Sequence, residues 1–171
     1  MKIQDVIPML NQLERDGLIK RYAIGGAVGA TFYLEPVSTL DVDVFIAFKP
    51  EEETMIASPA PIFDYLKGFG CKMEGEYIVI SGWPVQFLPA IGPLIEEALM
   101  KAVEVDVEGE PARVLSAEYL AAIALQTGRA KDKARLLQFI EARALDRKKF
   151  EELVERHGLT DKWREFQRQF L

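Results

Sequence analysis

Hydrophobic positions change period several times along the first 48 residues. Apolar side chains recur at helical spacing over Asp5–Asp16, where Asp5 is placed to cap the helix, and a short apolar strand follows over Leu18–Ile24. The chain then predicts a helix of small residues over Ala27–Leu34. Asp41–Phe48 first alternate polar and apolar positions and then become continuously apolar, which predicts a strand that runs into the core.

The segment between residues 49 and 115 continues this mixture of helix and strand. Lys49–Pro61 contain three prolines and three consecutive glutamates, so we expect a loop there. A short helix is predicted at Ile62–Gly68 and a longer one at Pro93–Lys101. Two hairpins are predicted from alternating strands joined by turn residues, the first at Tyr77–Ile80 with Val85–Leu88 and the second at Ala102–Val107 with Ala112–Leu115.

From Ser116 onward the periodicity is helical alone and predicts four helices. The first follows Ser116 and ends at Gly128, the second begins near Ala130, and the last two lie at about Arg147–Arg156 and Thr160–Phe170, with a helix end at His157-Gly158. The pattern therefore predicts an α/β (α+β) fold in which a mixed β-sheet with flanking helices is followed by a C-terminal helical bundle. We expect residues 1–115 to form the α/β domain and residues 116–171 to form a helical segment packed on it.

Composition restricts the class of protein. The 171 residues are 49% hydrophobic and 28% charged, which is ordinary for a globular protein. No apolar stretch approaches the roughly 18 residues of a membrane span, and the N-terminus lacks the apolar core of a signal peptide. We therefore expect a cytoplasmic protein with no membrane partner.

Cysteine and histidine are too scarce for several kinds of site. Cys71 is the single cysteine and His157 the single histidine, which excludes an internal disulfide and a zinc site built from histidines. A metal in this protein must then be held by carboxylates. His157 precedes a glycine at a helix end, and a cap or surface role is expected for it.

Charge is unevenly distributed along the chain. The net charge is −6, yet Arg129–Lys149 contain eight basic and three acidic residues and carry +5, leaving −11 for the remainder. The overall charge argues against indiscriminate coating of nucleic acid. The basic segment could still guide an anionic molecule locally.

Two short stretches carry the candidate chemistry. Gly25 and Gly26 lie between the first strand and the small-residue helix, where a tight turn can expose backbone N–H groups to phosphate. Asp41 and Asp43 lie two residues apart on one face of the next strand, a spacing of roughly 6.5–7 Å. Paired carboxylates of this kind suit magnesium, which binds through one or two carboxylates together with substrate phosphates.

This combination resembles the nucleotidyltransferase superfamily, whose signature is a Gly-Gly or Gly-Ser turn, a short helix and an Asp-x-Asp strand often preceded by threonine. Gly25, Gly26, Thr39, Asp41 and Asp43 are the matching residues. The resemblance implies a nucleotidyltransferase-like sheet, a nucleoside triphosphate substrate, and Mg²⁺ or Mn²⁺ held by Asp41 and Asp43. It also implies that the glycine turn and Thr39 bind the nucleotide.

The chain departs from this family at the third carboxylate, which commonly lies on a later strand beside the aspartate pair. The residue at that position is Gln86, which can hydrogen-bond but cannot act as an anionic base. Gln86 is thus a possible degenerate third ligand. A glutamate from another segment, Glu74 or Glu76, could replace the missing acid, whereas Asp106 is expected to be a solvent-facing strand residue.

A second motif lies in the helical part. The run Arg129-Ala130-Lys131-Asp132 resembles a motif of the abortive-infection type IV toxin nucleotidyltransferases, in which lysine and aspartate complete the active site. The resemblance implies catalytic roles for Lys131 and Asp132 and nucleotide binding by Arg129 and Arg135. It also implies transfer to a hydroxyl of RNA (tRNA) or protein, and an antitoxin partner. Arg135 stands where the family often has another acid.

Other functions remain open on the sequence. The aspartate strand could be half-exposed without a ligand, and the basic run could be a solvated helix face. A dinucleotide-binding unit is disfavoured because the turn lacks Gly-x-Gly spacing and the aspartates open their strand rather than end it. Gln86 leaves open a catalytically impaired module that binds a nucleotide or a partner protein, and a purely structural partner in a toxin pair would bind no nucleotide.

Overall fold

The computed structural model describes residues 2–36, 38–39, 41–48 and 58–171. Within these residues seven strands form one mixed sheet: β1 (Arg21–Ile24), β2 (Val42–Ala47), β3 (Lys72–Glu74), β4 (Tyr77–Ile80), β5 (Trp83–Pro89), β6 (Val103–Val107) and β7 (Glu110–Val114). Their spatial order is β3-β4-β5-β2-β1-β7-β6. The central strand β2 is antiparallel to β1 and parallel to β5.

The same residues contain eight α-helices after a short 3₁₀ turn at Ile3–Asp5: α1 (Ile7–Arg15), α2 (Gly26–Ala30), α3 (Ala60–Gly68), α4 (Pro93–Met100), α5 (Ala117–Thr127), α6 (Ala130–Glu141), α7 (Arg147–Arg156) and α8 (Thr160–Phe170). All of them are too short or too polar to cross a lipid bilayer. The α/β class and the mixed sheet with flanking helices are confirmed.

The sheet separates two hydrophobic layers because side chains alternate along β2. Val42, Val44 and Ile46 are fully buried on one face, in a layer that includes α1 and α3. Asp43 and Phe45 lie on the opposite face. That face packs against the second layer, which contains α4 and the C-terminal helices.

The C-terminal helices therefore continue the core of the sheet. The second layer joins Ala23 of β1 and Phe45 of β2 to buried residues of α4, α5, α6, α7 and α8. Aromatic contacts hold the last two helices, since the Trp163 ring packs edge-on against Phe150 and stacks on Phe166. As a result, the helical segment covers the face of the sheet that carries the aspartates.

Element boundaries differ from the predictions mainly near the N-terminus. The helix begins at Ile7 rather than Asp5, because the Asp5 carboxylate accepts the backbone N–H of Lys2 and caps the preceding 3₁₀ turn instead. β1 begins at Arg21, since Leu18 donates its N–H to the Leu13 carbonyl and closes the helix. The small-residue helix begins at Gly26, ends at Ala30 and continues only as turns.

Two further differences lie in the middle of the chain. α3 begins at Ala60, inside the predicted loop, because prolines are compatible with the first turn of a helix. Residues 49–57 of that predicted loop lie outside the described residues. The edge strand β3 was not predicted, because three largely exposed residues give no clear alternation. Both predicted hairpins and the four C-terminal helices are confirmed.

Candidate functional site

Asp41 and Asp43 open into one cleft between the sheet and the start of α6. The cleft has a volume of about 830 Å³ and is lined by both carboxylates, by Thr39, and by residues of β5 and α6. The alternation of β2 explains this placement, because Val42 between the aspartates is fully buried on the other face. The predicted common face of the two aspartates is thus present in the fold.

The glycine turn lies directly against this strand. A Cβ at Gly26 would overlap the Asp43 carboxylate, and a Cβ at Gly25 would overlap the Phe45 ring. Gly26 also has a φ of +58°, which side chains other than glycine rarely adopt. The pair is therefore required for the close approach of the turn to β2.

Hydrogen bonding gives Gly25 a structural role. Its backbone N–H donates to the Asp43 carbonyl at 2.9 Å, which joins the turn to the aspartate strand. This N–H is already paired within the fold, and phosphate binding by the glycine turn stays a prediction. Thr39 makes a comparable local contact, since its Oγ1 donates to the Asp41 carbonyl at 3.2 Å while the residue lines the cleft.

Gln86 occupies the position beside Asp43 on the neighbouring strand. β2 and β5 are parallel, and Asp43 and Gln86 are direct register partners. Buried Val85 and Phe87 flank Gln86 on the opposite face, so the Gln86 amide points toward the cleft it lines. In the described part of the chain, no three Asp, Glu, His or Cys side chains are grouped closely enough to hold a metal ion.

Glu74 and Glu76, the two candidates for the missing third acid, both lie in the β3–β4 hairpin but face different cavities. Glu76 lines the aspartate cleft next to Tyr77, whereas Glu74 lines a different depression near Cys71. Desolvation, followed by the charges of Asp41 and Glu76, raises the pKa of the Tyr77 hydroxyl. Glu76 is thus the one of the two glutamates that lines the cleft. Tyr77 is a cleft residue that the sequence did not assign to the site, since the pattern identified it only as the start of a strand. Asp106 is exposed and accepts the Gly109 N–H, as expected for a turn residue.

The start of α6 brings three cations to the cleft. Arg129, Lys131 and Arg135 all line it. Desolvation and the neighbouring Asp41 raise the pKa of the Asp43 carboxyl, while Lys131, Arg135 and Arg129 act in the opposite direction. These cations therefore lie within electrostatic reach of the aspartate pair.

Asp132, for which the resemblance implies a catalytic role, is buried in the first turn of α6. The residue is only 2% exposed, and its carboxylate accepts Nε of Arg129 at 2.6 Å and lies 3.8 Å from the Arg135 guanidinium. It also accepts the backbone N–H of Arg129 at 3.3 Å, within the first turn of α6. Asp132 thus positions two arginines and has no free carboxylate to offer a substrate.

The basic segment does not form one continuous surface. Lys133 lines a separate pocket between α5 and α8, and Lys149 lies 4.0 Å from Asp146. Arg147 pairs with Glu151 and packs over the Trp163 ring. Only the part of the segment that begins α6 contributes charge to the cleft.

His157 ends α7 and lies at a junction of helices. One ring nitrogen is 2.7 Å from Oε2 of Glu97 on α4, and the same carboxylate accepts two hydrogen bonds from Arg156. This cluster connects α4 to α7 away from the cleft. The predicted cap position of His157 at a helix end is confirmed.

Comparisons with solved structures show the same fold. An antigenic nucleotidyltransferase-like protein from Paracoccidioides brasiliensis has a TM-score of 0.57 at 14% identity, over 83% of this chain and 77% of that chain. ANT(2″)-Ia in complex with adenylyl-2″-tobramycin has a TM-score of 0.55 at 15% identity, over 95% and 99% of the two chains. The solution structure of the antibiotic-resistance factor ANT(2″)-Ia has a TM-score of 0.53 at 14% identity, over 96% and 94%.

No protein-family model and no curated protein matches the chain. These three structural likenesses are at 14–15% sequence identity, so they concern the fold. The chain has a nucleotidyltransferase-like fold, in which a mixed sheet carries an aspartate pair beneath helices of the C-terminal half.

Proposed function

We propose that this protein is a metal-dependent nucleotidyltransferase that moves a nucleoside monophosphate from a nucleoside triphosphate to a hydroxyl group. One observation carries the proposal: Asp41 and Asp43 share a cleft with three cations from a distant helix. The carboxylates of Asp41 and Asp43, at the start of β2, can hold a cation at the reacting phosphate, while the start of α6 supplies positive charge for the remaining phosphates. The nucleotidyltransferase-like fold shared with the structural neighbours supports the proposed nucleotidyl transfer.

The residues present fit a magnesium or manganese ion. Asp41 and Asp43 supply hard oxygen ligands on one face, and the Gln86 amide oxygen is a weaker donor beside Asp43. The repulsion and desolvation that raise the pKa of Asp43 would be relieved by a divalent cation. When bound, such an ion supplies Lewis-acid charge that polarises the reacting phosphate and offsets negative charge on pyrophosphate.

The chain's own residues have distinct tasks in this proposal. Lys131 and the two arginines held by Asp132 bind and orient the triphosphate. Gly26 leaves room for the Asp43 carboxylate and so fixes its position. In the transfer, the acceptor oxygen bonds to the α-phosphorus, the bond to the β-phosphate bridging oxygen breaks, and pyrophosphate leaves with that electron pair. The hydroxyl proton passes to a neighbouring carboxylate and then to water.

Two classes of acceptor hydroxyl have support. The resemblance of Arg129–Asp132 to type IV toxin nucleotidyltransferases favours an RNA (tRNA) or protein hydroxyl and an antitoxin partner. The structural neighbour ANT(2″)-Ia, seen with adenylyl-2″-tobramycin, offers an aminoglycoside hydroxyl as a second acceptor class. Each can be supplied separately in one assay.

A second candidate function follows from Gln86. Because an amide stands beside Asp43 where a third carboxylate would complete the site, the cleft could bind nucleotide without turnover. This catalytically impaired module would bind a nucleoside triphosphate in the presence of magnesium and release no pyrophosphate.

Label transfer tests the proposal. The protein is incubated with Mg²⁺ or Mn²⁺, with each α-labelled ribonucleoside triphosphate in turn, and with total RNA, itself or tobramycin as acceptor. We expect label transfer that is lost in the Asp41→Asn/Asp43→Asn double variant and retained in Asp64→Asn, a matched change at an exposed residue of α3. Calorimetric nucleotide binding without transfer to any acceptor would instead favour the impaired module, and no binding would contradict both.

A further inference from the structure

A second pocket adjoins the aspartate cleft. It has a volume of about 300 Å³ and lies between the sheet and helices α4 and α5. Most of its wall is apolar and is built by Phe45, Leu88, Ile95, Leu120, Ile123 and Ala124. Ile91 stands at its rim with 72% of its surface exposed. Such a size is at the lower end for small-molecule sites.

Asp43 forms the boundary between the two spaces. It lines both the pocket and the cleft, as do Arg129 and Arg135. Asp41 and Lys131 line the cleft and are not part of the pocket wall. A group held in the pocket would therefore meet the cleft at the Asp43 carboxylate.

The charged side chains of the cleft and of the pocket suit different ligands. Most residues that line the cleft are polar or charged, and its several ionic groups suit a triphosphate. The ionic groups of the pocket are Asp43 and Asp132 against Arg129 and Arg135, and Asp132 is already paired with both arginines. The rest of the wall offers no charge, so burial of a charged occupant there would be costly.

We infer that this pocket binds the acceptor, and that the acceptor hydroxyl is carried on an uncharged apolar ring. The inference rests on the proposed nucleotidyl transfer and specifies its second substrate. A ring seated against Phe45 and Ile123 brings its hydroxyl to Asp43. The oxygen attacks the α-phosphorus, the bond from the α-phosphorus to the β-phosphate bridging oxygen breaks, pyrophosphate departs from the cleft side, and the hydroxyl proton passes to water. A free cyclic alcohol or phenol and a tyrosyl side chain share this chemistry.

The same wall disfavours two other acceptors. A polycation such as tobramycin finds no unpaired carboxylate in the pocket apart from Asp43. A ribose at an RNA end would place most of its hydroxyl groups against a mainly aliphatic wall, which offers few hydrogen-bond partners, and this costs free energy.

Acceptor competition is the test. Transfer from each α-labelled nucleoside triphosphate is measured with 4-ethylphenol, cyclohexanol, N-acetyltyrosinamide, a tyrosine-containing peptide, tobramycin and an oligoribonucleotide. We expect the ring alcohols to be labelled at least tenfold more efficiently, as kcat/KM, than tobramycin or RNA. Labelling of 4-ethylphenol and cyclohexanol alone indicates a free small molecule, whereas stronger labelling of the peptide indicates a tyrosyl acceptor.

Variants of the pocket separate its occupant from the nucleotide. Ile123→Trp fills the space and should raise KM for the ring alcohol at least tenfold, with the nucleotide Kd unchanged. Ile91→Glu, at an exposed rim position that folding tolerates, should raise the same KM several-fold. Met100→Trp is the control on α4, because Met100 is 75% exposed and lies outside both spaces.

Different outcomes overturn different conclusions. A tenfold weaker nucleotide Kd in Ile123→Trp would place the nucleobase in the pocket and overturn the inference, as would faster labelling of tobramycin or RNA than of every ring alcohol. If the wild type binds no nucleotide, the proposed function fails. Methyl NMR then tests separately whether the pocket binds a ring alcohol. We expect 4-ethylphenol to shift the Ile123 and Ile95 methyl signals, and unchanged signals would overturn the inference.

Discussion

At the scale of single residues, the site depends on a carboxylate held in an unfavourable position. Asp43 is partly buried and faces Asp41, and both effects raise its pKa against the three cations of α6. The Asp43 carboxylate is therefore expected to favour function while it lowers the stability of the free protein. The turn at Gly25 and Gly26 keeps this carboxylate in place.

Replacing Asp43 with asparagine should separate these two contributions. We expect Asp43→Asn to lower transfer by at least about 100-fold, because a metal-binding carboxylate is lost. The Tm of the free protein should not fall, because repulsion from Asp41 is removed. Transfer assays and thermal unfolding by circular dichroism measure both effects. Full activity in this variant would eliminate the metal role.

Gly26→Ala should disturb the site in two ways, by a steric clash with the Asp43 carboxylate and by backbone strain. The left-handed φ alone should destabilise the fold by about 1–3 kcal/mol, and the new Cβ overlaps the Asp43 carboxylate. Gly158→Ala is the matched control, because Gly158 has a φ of +68° and no heavy atom near the new Cβ. Urea unfolding should show the larger loss for Gly26→Ala, and transfer should fall in this variant alone. Equal losses and equal activity would mean that the contact with Asp43 is unimportant.

At the scale of elements, the first turn of α6 completes the candidate site, because it adds cations to the cleft that contains the two aspartates. Arg129 is the residue before the helix, and Asp132 in the first turn binds both its backbone and its guanidinium. The same carboxylate faces Arg135 one turn later. A single buried acid thus fixes two cations and the start of the helix.

Asp132→Asn should weaken the element and nucleotide binding together. Because asparagine keeps an acceptor for the Arg129 N–H but loses the charge, we expect a stability loss of about 2 kcal/mol and a nucleotide Kd raised about tenfold. The effect should be on Kd and KM more than on kcat, as expected of a positioning residue.

A matched change at another helix start provides the comparison. Asp146 precedes α7 and its exposed carboxylate accepts the Lys149 N–H at 3.2 Å. Asp146→Asn should therefore change stability by less than about 1 kcal/mol and leave nucleotide Kd unaltered. If Asp132→Asn behaves in the same way, Asp132 does not position the arginines.

At the scale of the whole molecule, sheet and helical bundle share one hydrophobic layer. Ala23, Phe45 and Leu115 contact the layer that contains Leu120 and Phe139 of the C-terminal helices. The Tyr33 hydroxyl donates to the Leu115 carbonyl, at the junction of the two proposed parts. The cleft exists only where these parts meet.

A chain limited to residues 1–115 should consequently fail to fold on its own. Removal of α5–α8 exposes the apolar face of the sheet beside Phe45 and breaks the contact of Glu97 with Arg156 and His157. We expect poor NMR dispersion and no cooperative thermal transition, whereas the full chain unfolds in one transition. A cooperative transition of the shortened chain would show that residues 1–115 form an independent domain.

Local pattern was sufficient for most elements of this fold. The two periods, 3.6 for helices and 2 for strands, placed both hairpins, the four C-terminal helices and the common face of Asp41 and Asp43. The pattern was insufficient where a segment is short or its ends depend on neighbours. The edge strand β3 and the start of α3 illustrate this limit.

The sequence by itself determined the aspartate pair, the glycine turn before it and the basic run that begins α6, because each depends on spacing within a few residues. The resemblance to a known family had already implied that Gln86 lies beside the aspartate pair, and the strand register agrees with it. Only the tertiary structure decided that the Gly25 N–H pairs with the Asp43 carbonyl, that Asp132 is buried beneath two arginines, and that an apolar pocket adjoins the cleft. These features depend on strand register and on packing between distant segments. No local periodicity encodes them, because they arise when two hydrophobic layers close on the same sheet.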